Sequence, residues 1–208
     1  MRRSEFIARQ GRKPFGIIGA VVGRIMARET ASDNKQAIKM LDIHPQDHVV
    51  DIGTGHGSSL CEIADLASTG LVVGVDFSDV MLAIASKRNE ALIRAGRIHL
   101  EKAPSDKLPF PDASFDKAVA VHTLYFWNPA EPHLREIARV LRPGGQFLLA
   151  FRPAEDTLVT AKFPASVYTF RTTDVVESIL ASAGFSIASV RHDDVPGRSI
   201  VWLLATRN

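Results

Sequence analysis

The stretch that decides the fold is Val49–Gly57, which reads VVDIGTGHG. An apolar run leads into three glycines at every second position, Gly53, Gly55 and Gly57. Because glycine has no Cβ, the backbone can turn sharply here and a ligand can approach it closely. The amides at the start of a following helix can donate hydrogen bonds to that ligand. The pattern therefore predicts a buried strand, a ligand-binding glycine loop and a helix, and it disfavours a plain strand-to-helix turn.

Short β-branched runs alternate with longer helical patterns around this stretch. The predicted strands are 48–52, 71–75, 97–101, 115–121, 146–151, 187–192 and 199–205, and the predicted helices are 32–41, 57–67, 79–95, 132–141 and 172–183. Near-continuous apolar strands separated by helices indicate a parallel sheet that is covered on both faces. The tight turn before the last strand makes the final pair antiparallel. The predicted fold class is α/β, a doubly wound, mostly parallel seven-stranded sheet of Rossmann-like type with a C-terminal antiparallel hairpin.

The second predicted strand ends in Asp76, which suggests a nucleoside ligand. Ligands of doubly wound sheets bind at the carboxyl ends of the strands, where an acidic residue can accept hydrogen bonds from ribose hydroxyls. The alternative role of a helix cap is already filled by Ser78. A nicotinamide dinucleotide would fit these features too, but its G-x-G-x-x-G/A fingerprint would need Ser58 at the third position. The regular glycine spacing fits that fingerprint less well, and the pattern by itself remains compatible with any adenosine cofactor.

Composition limits the remaining possibilities. The chain has 208 residues, of which 46% are hydrophobic, and this predicts one compact domain with a terminal extension. A single cysteine, Cys61, excludes a disulfide framework and a multi-cysteine zinc site. The seven histidines are scattered, so no metal site is expected. No apolar run is long enough for a membrane-spanning helix.

The basic residues are concentrated at the N-terminus. Residues 1–28 contain seven basic residues against Glu5 alone, so the other 180 residues carry four net negative charges. An acidic body predicts no nucleic-acid partner. We therefore divide the chain into a basic N-terminal arm, residues 1–30, and a domain, residues 31–208.

The arm predicts a helix, since Phe15, Ile18, Val22, Ile25 and Met26 share one helical face. Docking of this helix on its own domain, as a lid, is favoured over contact with a membrane surface. A signal peptide is disfavoured because two arginines, Arg24 and Arg28, stand where a cleavage site should lie, and a cytoplasmic location is therefore expected.

Four segments in order resemble the class I S-adenosylmethionine-dependent methyltransferases, especially the small-molecule branch that includes the ubiquinone and menaquinone biosynthesis enzymes. They are VVDIGTGHG at 49–57, VVGVDFS at 72–78, LPFPDASFD at 108–116 and LRPGGQF at 141–147. The resemblance implies transfer of a methyl group from S-adenosyl-L-methionine to a small organic acceptor by in-line displacement, leaving S-adenosyl-L-homocysteine. A non-catalytic binding protein of this fold and a nicotinamide-dependent oxidoreductase are the alternatives. The sequence leaves a monomer and a homodimer equally open.

The resemblance also implies residue roles at the methionine end of the cofactor. Asp51 would hold the ammonium group, directly or through water. Gly53, Gly55 and Gly57 would let the backbone approach the methionine portion and the ribose. The backbone carbonyl of His122 would face the ammonium group.

The adenosine end departs from the family pattern. Asp76 would bind the ribose hydroxyls and Phe77 would border the adenine. Relatives often have an aspartate before the Leu-Pro-Phe segment, but the aligned residues here are 103–105, which read Ala-Pro-Ser. We place Ser105 in the cofactor site, with Asp106 as a possible substitute for the acid.

The acceptor is expected to lie beside the loop after the fourth strand, where three aromatic residues follow one another. Tyr125 and Trp127 are predicted to form a wall for an apolar, planar or cationic acceptor, in preference to Phe126. Tyr168, in the segment 153–171 outside the common core, is a further candidate.

The candidate catalytic residues are His122 and Tyr125. A general base is needed only if the acceptor must lose a proton. His122 is the best placed histidine for that role, and His56 and His133 are the next candidates.

Overall fold

A computed structural model of the chain describes residues 4–16, 19, 21, 25, 30–193 and 198–208. Several arm positions in the predicted apolar and basic helix faces, namely Ile18, Val22, Arg24, Met26 and Arg28, lie outside the described residues. So does the tip of the last predicted turn, residues 194–197.

Strands and helices alternate through most of the chain. The strands are β1 (Val49–Ile52), β2 (Val72–Asp76), β3 (Ile98–Lys102), β4 (Phe115–Val121), β5 (Leu141–Phe151), β6 (Phe185–Asp193) and β7 (Ile200–Arg207). The helices are α1 (Glu5–Arg12), α2 (Ala31–Leu41), α3 (Ser58–Leu66), α4 (Asp79–Arg88), α5 (Glu90–Arg94), α6 (Glu131–Val140), α7 (Thr157–Thr160) and α8 (Thr173–Ser182). A short 3-10 helix, Leu124–Phe126, follows β4. No helix in the described ranges combines the length and apolarity that crossing a bilayer would require.

The strands form one seven-stranded sheet in the order β3-β2-β1-β4-β5-β7-β6. Neighbouring strands from β3 to β5 are parallel, and β7 is antiparallel to both β5 and β6. The predicted mixed sheet and its C-terminal hairpin are therefore confirmed. The strand order reverses between β1 and β4, which places the switch point at the carboxyl end of β1, where ligands of such sheets bind.

Buried apolar side chains cover both faces of the sheet. One core cluster includes Leu134 and Ile137 of α6 and Leu180 of α8. The other includes Leu41 of α2 and Ile63 of α3. These helices pack on opposite faces and hold the strand ends, and with them the loops of the site, in fixed positions.

The single helix predicted over residues 79–95 is wrong, because the chain breaks at Asn89 into α4 and α5. The buried Asn89 side chain donates through Nδ2 to the carbonyl oxygens of Ala85, at 3.0 Å, and Gly57, at 2.9 Å. Asparagine side chains that bond the backbone in this way compete with regular helix. The contact with Gly57 lies outside the local sequence pattern, which is why periodicity alone missed the break.

Arg139 of α6 anchors the segment 108–116. Its guanidinium donates to the carbonyl oxygens of Leu108, at 3.0 Å, and Phe110, at 2.8 Å. It also pairs with the carboxylates of Asp112 and Glu136, both at 2.7 Å. The role of this segment is therefore structural, since it fixes the approach to β4.

Candidate active site

Two adjoining cavities open at the carboxyl ends of β1, β2 and β4. The first cavity extends to Asp51 and to Asn34 of α2, and the second extends to Ser105 and His133. Each encloses about 830–840 Å³ including its solvent-open part. Residues that line both cavities are Arg12, Gly53, Asp76, Phe77, Thr123 and Phe126.

The glycine loop turns the chain away from β1 and into α3. Gly53 has φ 76° and Gly55 has φ 56°, a region that residues with a Cβ rarely adopt. A Cβ on Gly53 would lie 2.3 Å from Cγ2 of Thr123, so the loop after β4 can approach only a glycine here. Gly57 also has positive φ, and a Cβ added to it would lie 2.8 Å from Cβ of Ala85 in α4. Gly57 lines neither cavity, so the lack of a Cβ at this position serves the packing of α4.

Asp76 lies where the two cavities meet. Its Oδ2 accepts from the amide of Gly55 at 2.9 Å, and its Oδ1 accepts from the amide of Ser78 at 2.8 Å. Burial raises the pKa of Asp76, and these backbone hydrogen bonds oppose the shift. Each carboxylate oxygen retains further acceptor capacity. The geometry therefore offers a fixed acceptor pair at the boundary between the cavities.

Asp51 lies in the wall of the first cavity. Its Oδ2 accepts from the hydroxyls of Ser59, at 2.5 Å, and Thr54, at 2.9 Å. Burial raises the pKa of Asp51 to about 6, although both hydroxyl hydrogen bonds lower it and the charge of Asp76 raises it slightly. A buried carboxylate of this kind is suited to receive a cationic group.

We expect Asp51→Asn to stabilise the protein at pH 8 and to leave its stability nearly unchanged at pH 4. The carboxyl has an ordinary pKa of 3.8 in the unfolded chain and a pKa of about 6 in the folded protein, so its stabilising contribution is lost as the pH rises between these values. The difference between the folded and unfolded pKa values corresponds to about 2–3 kcal/mol in the free energy of unfolding. Urea unfolding at the two pH values measures it, with exposed Asp65→Asn as the control. Equal effects of Asp51→Asn at both pH values would contradict the assignment.

His122 follows β4 with φ 59° and lines the first cavity. Its Nε2 lies 2.8 Å from Oδ2 of Asp33 in α2, and its Nδ1 lies 2.9 Å from the hydroxyl of Tyr125. That hydroxyl accepts from the amide of Arg152 at 2.6 Å, which leaves its proton for Nδ1. The neutral Nε2–H tautomer of His122 satisfies every contact. Both ring nitrogens are therefore engaged, and neither is free to act as a base in this arrangement.

Asp33 completes this buried chain of contacts. Burial acts to raise the pKa of Asp33, but its hydrogen bonds with His122 and Ser32 and the nearby positive charge of Arg198 act together against burial, and the pKa is lowered overall. Arg198, which precedes β7, approaches Asp33 at 3.8 Å and donates to Ser32 at 2.9 Å. The network ties α2, the loop after β4 and the end of β5 together.

Tyr125 and Phe126 point in different directions because they belong to the 3-10 helix Leu124–Phe126, which has three residues per turn, and Trp127 caps its C-terminal end. Phe126 lines both cavities and Trp127 lines the second, but Tyr125 lines neither. Tyr168 is likewise buried away from both cavities and packs against Phe126, with ring centroids 5.0 Å apart. The structure thus places Phe126 at the wall, where the sequence pattern favoured Tyr125.

The second cavity contains the segment that lacks the family's acidic residue. Ser105 Oγ lies 2.8 Å from Nδ1 of His133, and the indole of Trp127 stacks on the His133 ring at 5.2 Å. Burial lowers the pKa of His133, which favours a neutral imidazole. Asp106 also lines this cavity. Polar and aromatic groups are therefore available for a heterocyclic base.

Part of the N-terminal arm, whose sequence predicts docking on its own domain as a lid, lies against the site. Gly11, Arg12 and Pro14 line the first cavity, and the Pro14 carbonyl accepts from the hydroxyl of Ser78 at 3.0 Å. Ala8 of α1 is 1% exposed within the core cluster. Lys13 lies over the ring of Phe77 at 5.5 Å. Within the described ranges, no three His, Cys, Asp or Glu residues are grouped for a metal ion.

Comparison with known proteins gives a consistent result. Residues 50–149 match a family model described as a methyltransferase domain. The chain is 31% identical over 150 residues to O-methyltransferase cnsE of Penicillium expansum, covering 69% of this chain and 54% of that protein. It is also 31% identical over 152 residues to the ubiquinone/menaquinone biosynthesis C-methyltransferase UbiE of Geobacter sulfurreducens, covering 72% of this chain and 59% of that protein. The chain therefore spans somewhat more than half the length of these two curated relatives.

The fold has close structural neighbours. A SAM-dependent methyltransferase from Aquifex aeolicus superposes with a TM-score of 0.70 at 21% sequence identity, and the match covers 85% of this chain and 90% of that one. At this level of identity the likeness establishes a shared fold.

Proposed function

The chain belongs to the class I S-adenosylmethionine-dependent methyltransferases, and from that premise we propose that the whole protein methylates a small organic acceptor. The observation that carries the proposal is the position of Asp76, a buried acceptor pair between two cavities. A nucleoside with substituents on both sides of its ribose fits such an arrangement.

The residues present fit this cofactor. Asp76 is suited to accept from the two ribose hydroxyls, as in other doubly wound sheets. The buried carboxylate of Asp51 is suited to the ammonium group of the methionine portion. In the second cavity, Phe77 and Ser105 offer an apolar surface and a hydroxyl to the adenine. The absent family acid is thereby replaced by Ser105, with Asp106 beside it.

S-adenosylmethionine supplies an electrophilic methyl group on a positively charged sulfur. The protein's own contribution is to align the acceptor with that group and to exclude water, which is a proximity effect. Phe126 lines both cavities and is placed to contact the acceptor. We assign His122 and Tyr125 a positioning role, because their polar atoms hold the loop after β4 in place.

We also propose that residues 31–208 form the catalytic domain and that the arm, residues 1–30, covers its cofactor site. Support comes from the contacts of Arg12 and Pro14 with the first cavity and of Lys13 with Phe77. An N-terminal segment in this position excludes solvent from the reacting groups when it is closed.

Two measurements test the proposed function. Calorimetric titration should show binding of S-adenosylhomocysteine and no binding of NAD. Incubation with methyl-labelled S-adenosylmethionine and a metabolite extract should then label a small molecule. Binding of NAD without S-adenosylhomocysteine would support an oxidoreductase instead. Cofactor binding with no labelled product from any extract would support a non-catalytic protein.

A further inference from the structure

The exposed apolar side chains of this protein are concentrated on the arm. In the described part of the chain, eight large apolar side chains are exposed, and five of them lie between residues 6 and 25. They are Phe6, Ile7, Phe15, Val21 and Ile25, with exposed fractions of 36–57%. Isolated exposed apolar residues are ordinary, but a group confined to one short segment marks an interaction surface.

Two of these side chains form a common apolar surface. The rings of Phe6 and Phe15 meet edge to face, with centroids 6.3 Å apart, although Phe15 remains 57% exposed. Phe6 belongs to α1, whose opposite side buries Ala8 in the core. The arm is therefore docked on the domain by one side and presents aromatic groups to solvent on the other.

The same segment carries most of the excess positive charge. Residues 1–28 contain seven basic residues and one acidic residue, and the remaining 180 residues are net negative. Arg9 and Lys13, which lie between Phe6 and Phe15 in sequence, are both exposed. Exposed aromatic groups interleaved with basic ones are typical of segments that lie in the interface of an anionic membrane.

We propose that the arm docks on the surface of an anionic lipid bilayer, with Phe6 and Phe15 in the headgroup boundary and the basic side chains at the lipid phosphates. Charge complementarity favours this occupant over a symmetric arm-to-arm contact with a second copy of the chain, because that contact would bring two positive arms together. The negative body is repelled by such a surface, so the arm alone makes the contact.

This docking would have a consequence for the site. Three residues between Phe6 and Phe15 line the first cavity, namely Gly11, Arg12 and Pro14. A membrane-bound arm therefore brings the cavity next to the bilayer. An acceptor that partitions into lipid could reach the site without crossing bulk water, which places the acceptor among apolar molecules.

The test is co-sedimentation with vesicles of phosphatidylcholine alone and of phosphatidylcholine with phosphatidylglycerol. We expect binding to the anionic vesicles only, weakened by salt. The double variant Phe6→Ser/Phe15→Ser should bind them about tenfold or more weakly. Arg9→Gln should bind them about threefold to fivefold more weakly. The matched control is Leu66→Ser/Leu158→Ser, which removes two exposed apolar side chains elsewhere and should bind like the wild type.

The proposal is overturned if the wild type does not bind anionic vesicles or if the control loses binding as much as the aromatic variant. It is also overturned if light scattering shows a dimer that the aromatic variant dissociates and no vesicle binding accompanies it. Affinity for S-adenosylhomocysteine, measured in the same variants, should be unchanged and reports separately on the folded cofactor site. Failure of vesicle binding is thus distinguishable from failure of the proposed methyl transfer.

Discussion

Asp76→Ala is expected to weaken binding of S-adenosylhomocysteine by about 30-fold to 1,000-fold. Two hydrogen bonds from ribose hydroxyls to a charged carboxylate contribute about 2–4 kcal/mol together, and each 1.36 kcal/mol corresponds to a factor of ten. The carboxylate also holds the amides of Gly55 and Ser78, so its loss loosens the glycine loop as well. Isothermal titration calorimetry gives the dissociation constant directly.

The control for this prediction is Asp79→Ala, three residues further along the chain. Asp79 is exposed and pairs with Lys102 at 2.7 Å, outside both cavities. We expect its substitution to change cofactor affinity by less than about twofold, as is usual for an exposed ion pair. A cooperative unfolding transition shows that each variant is folded. If folded Asp76→Ala keeps wild-type affinity, the ribose role of this residue is refuted.

Gly53→Ala is expected to destabilise the protein more than Gly55→Ala, whose added Cβ would have no atom closer than 4.0 Å. A residue with a Cβ at φ 76° is strained by about 1–2 kcal/mol. The new Cβ would also lie 2.3 Å from Cγ2 of Thr123, and relief of such overpacking costs about 1–3 kcal/mol more. The total loss in the free energy of unfolding is therefore about 2–5 kcal/mol, measured by urea unfolding.

Two companion variants separate strain from overlap in this prediction. Gly96 has φ 71° and no atom within 4 Å of an added Cβ, so Gly96→Ala should show the strain alone. Thr123→Ser removes Cγ2, and in the double variant with Gly53→Ala it should recover the part due to overlap. Equal losses of stability for Gly53→Ala and Gly96→Ala, with no recovery in the double variant, would show that the loop moves to accept the added Cβ and that overlap contributes nothing.

The fold was predictable because its signals are local. The apolar run before Gly53 predicts β1, and the acidic end of β2 at Asp76 marks the ligand side of the sheet. The alternation of strand and helix patterns then leads to the parallel sheet. The break at Asn89 was not predictable in this way, since its cause is a hydrogen bond to Gly57, which is 32 residues away in the chain.

The loops that form the site were predictable from the sequence, but the side chains that face its cavities were predictable only in part. Which aromatic residue faces the cavity depends on the rotation of the 3-10 helix, and that favours Phe126 over Tyr125. The engagement of His122 by Asp33 joins residues 89 positions apart, and no sequence spacing signals it. The position of Arg12 depends on how the arm folds back, which is fixed by tertiary packing of Ala8.

The position of β7 in the sheet sets the order in which the strands can pair while the chain is being synthesised. This strand is made after β6, yet it lies between β5 and β6 and pairs with both. A nascent chain on the ribosome can align β1 to β5 while the outer edge of β5 is still unpaired, since residues 200–207 are not yet translated. Unpaired strand edges on incomplete chains are prone to wrong association. The nascent protein is therefore most exposed to chaperones and to misassembly between completion of β5 and release of β7.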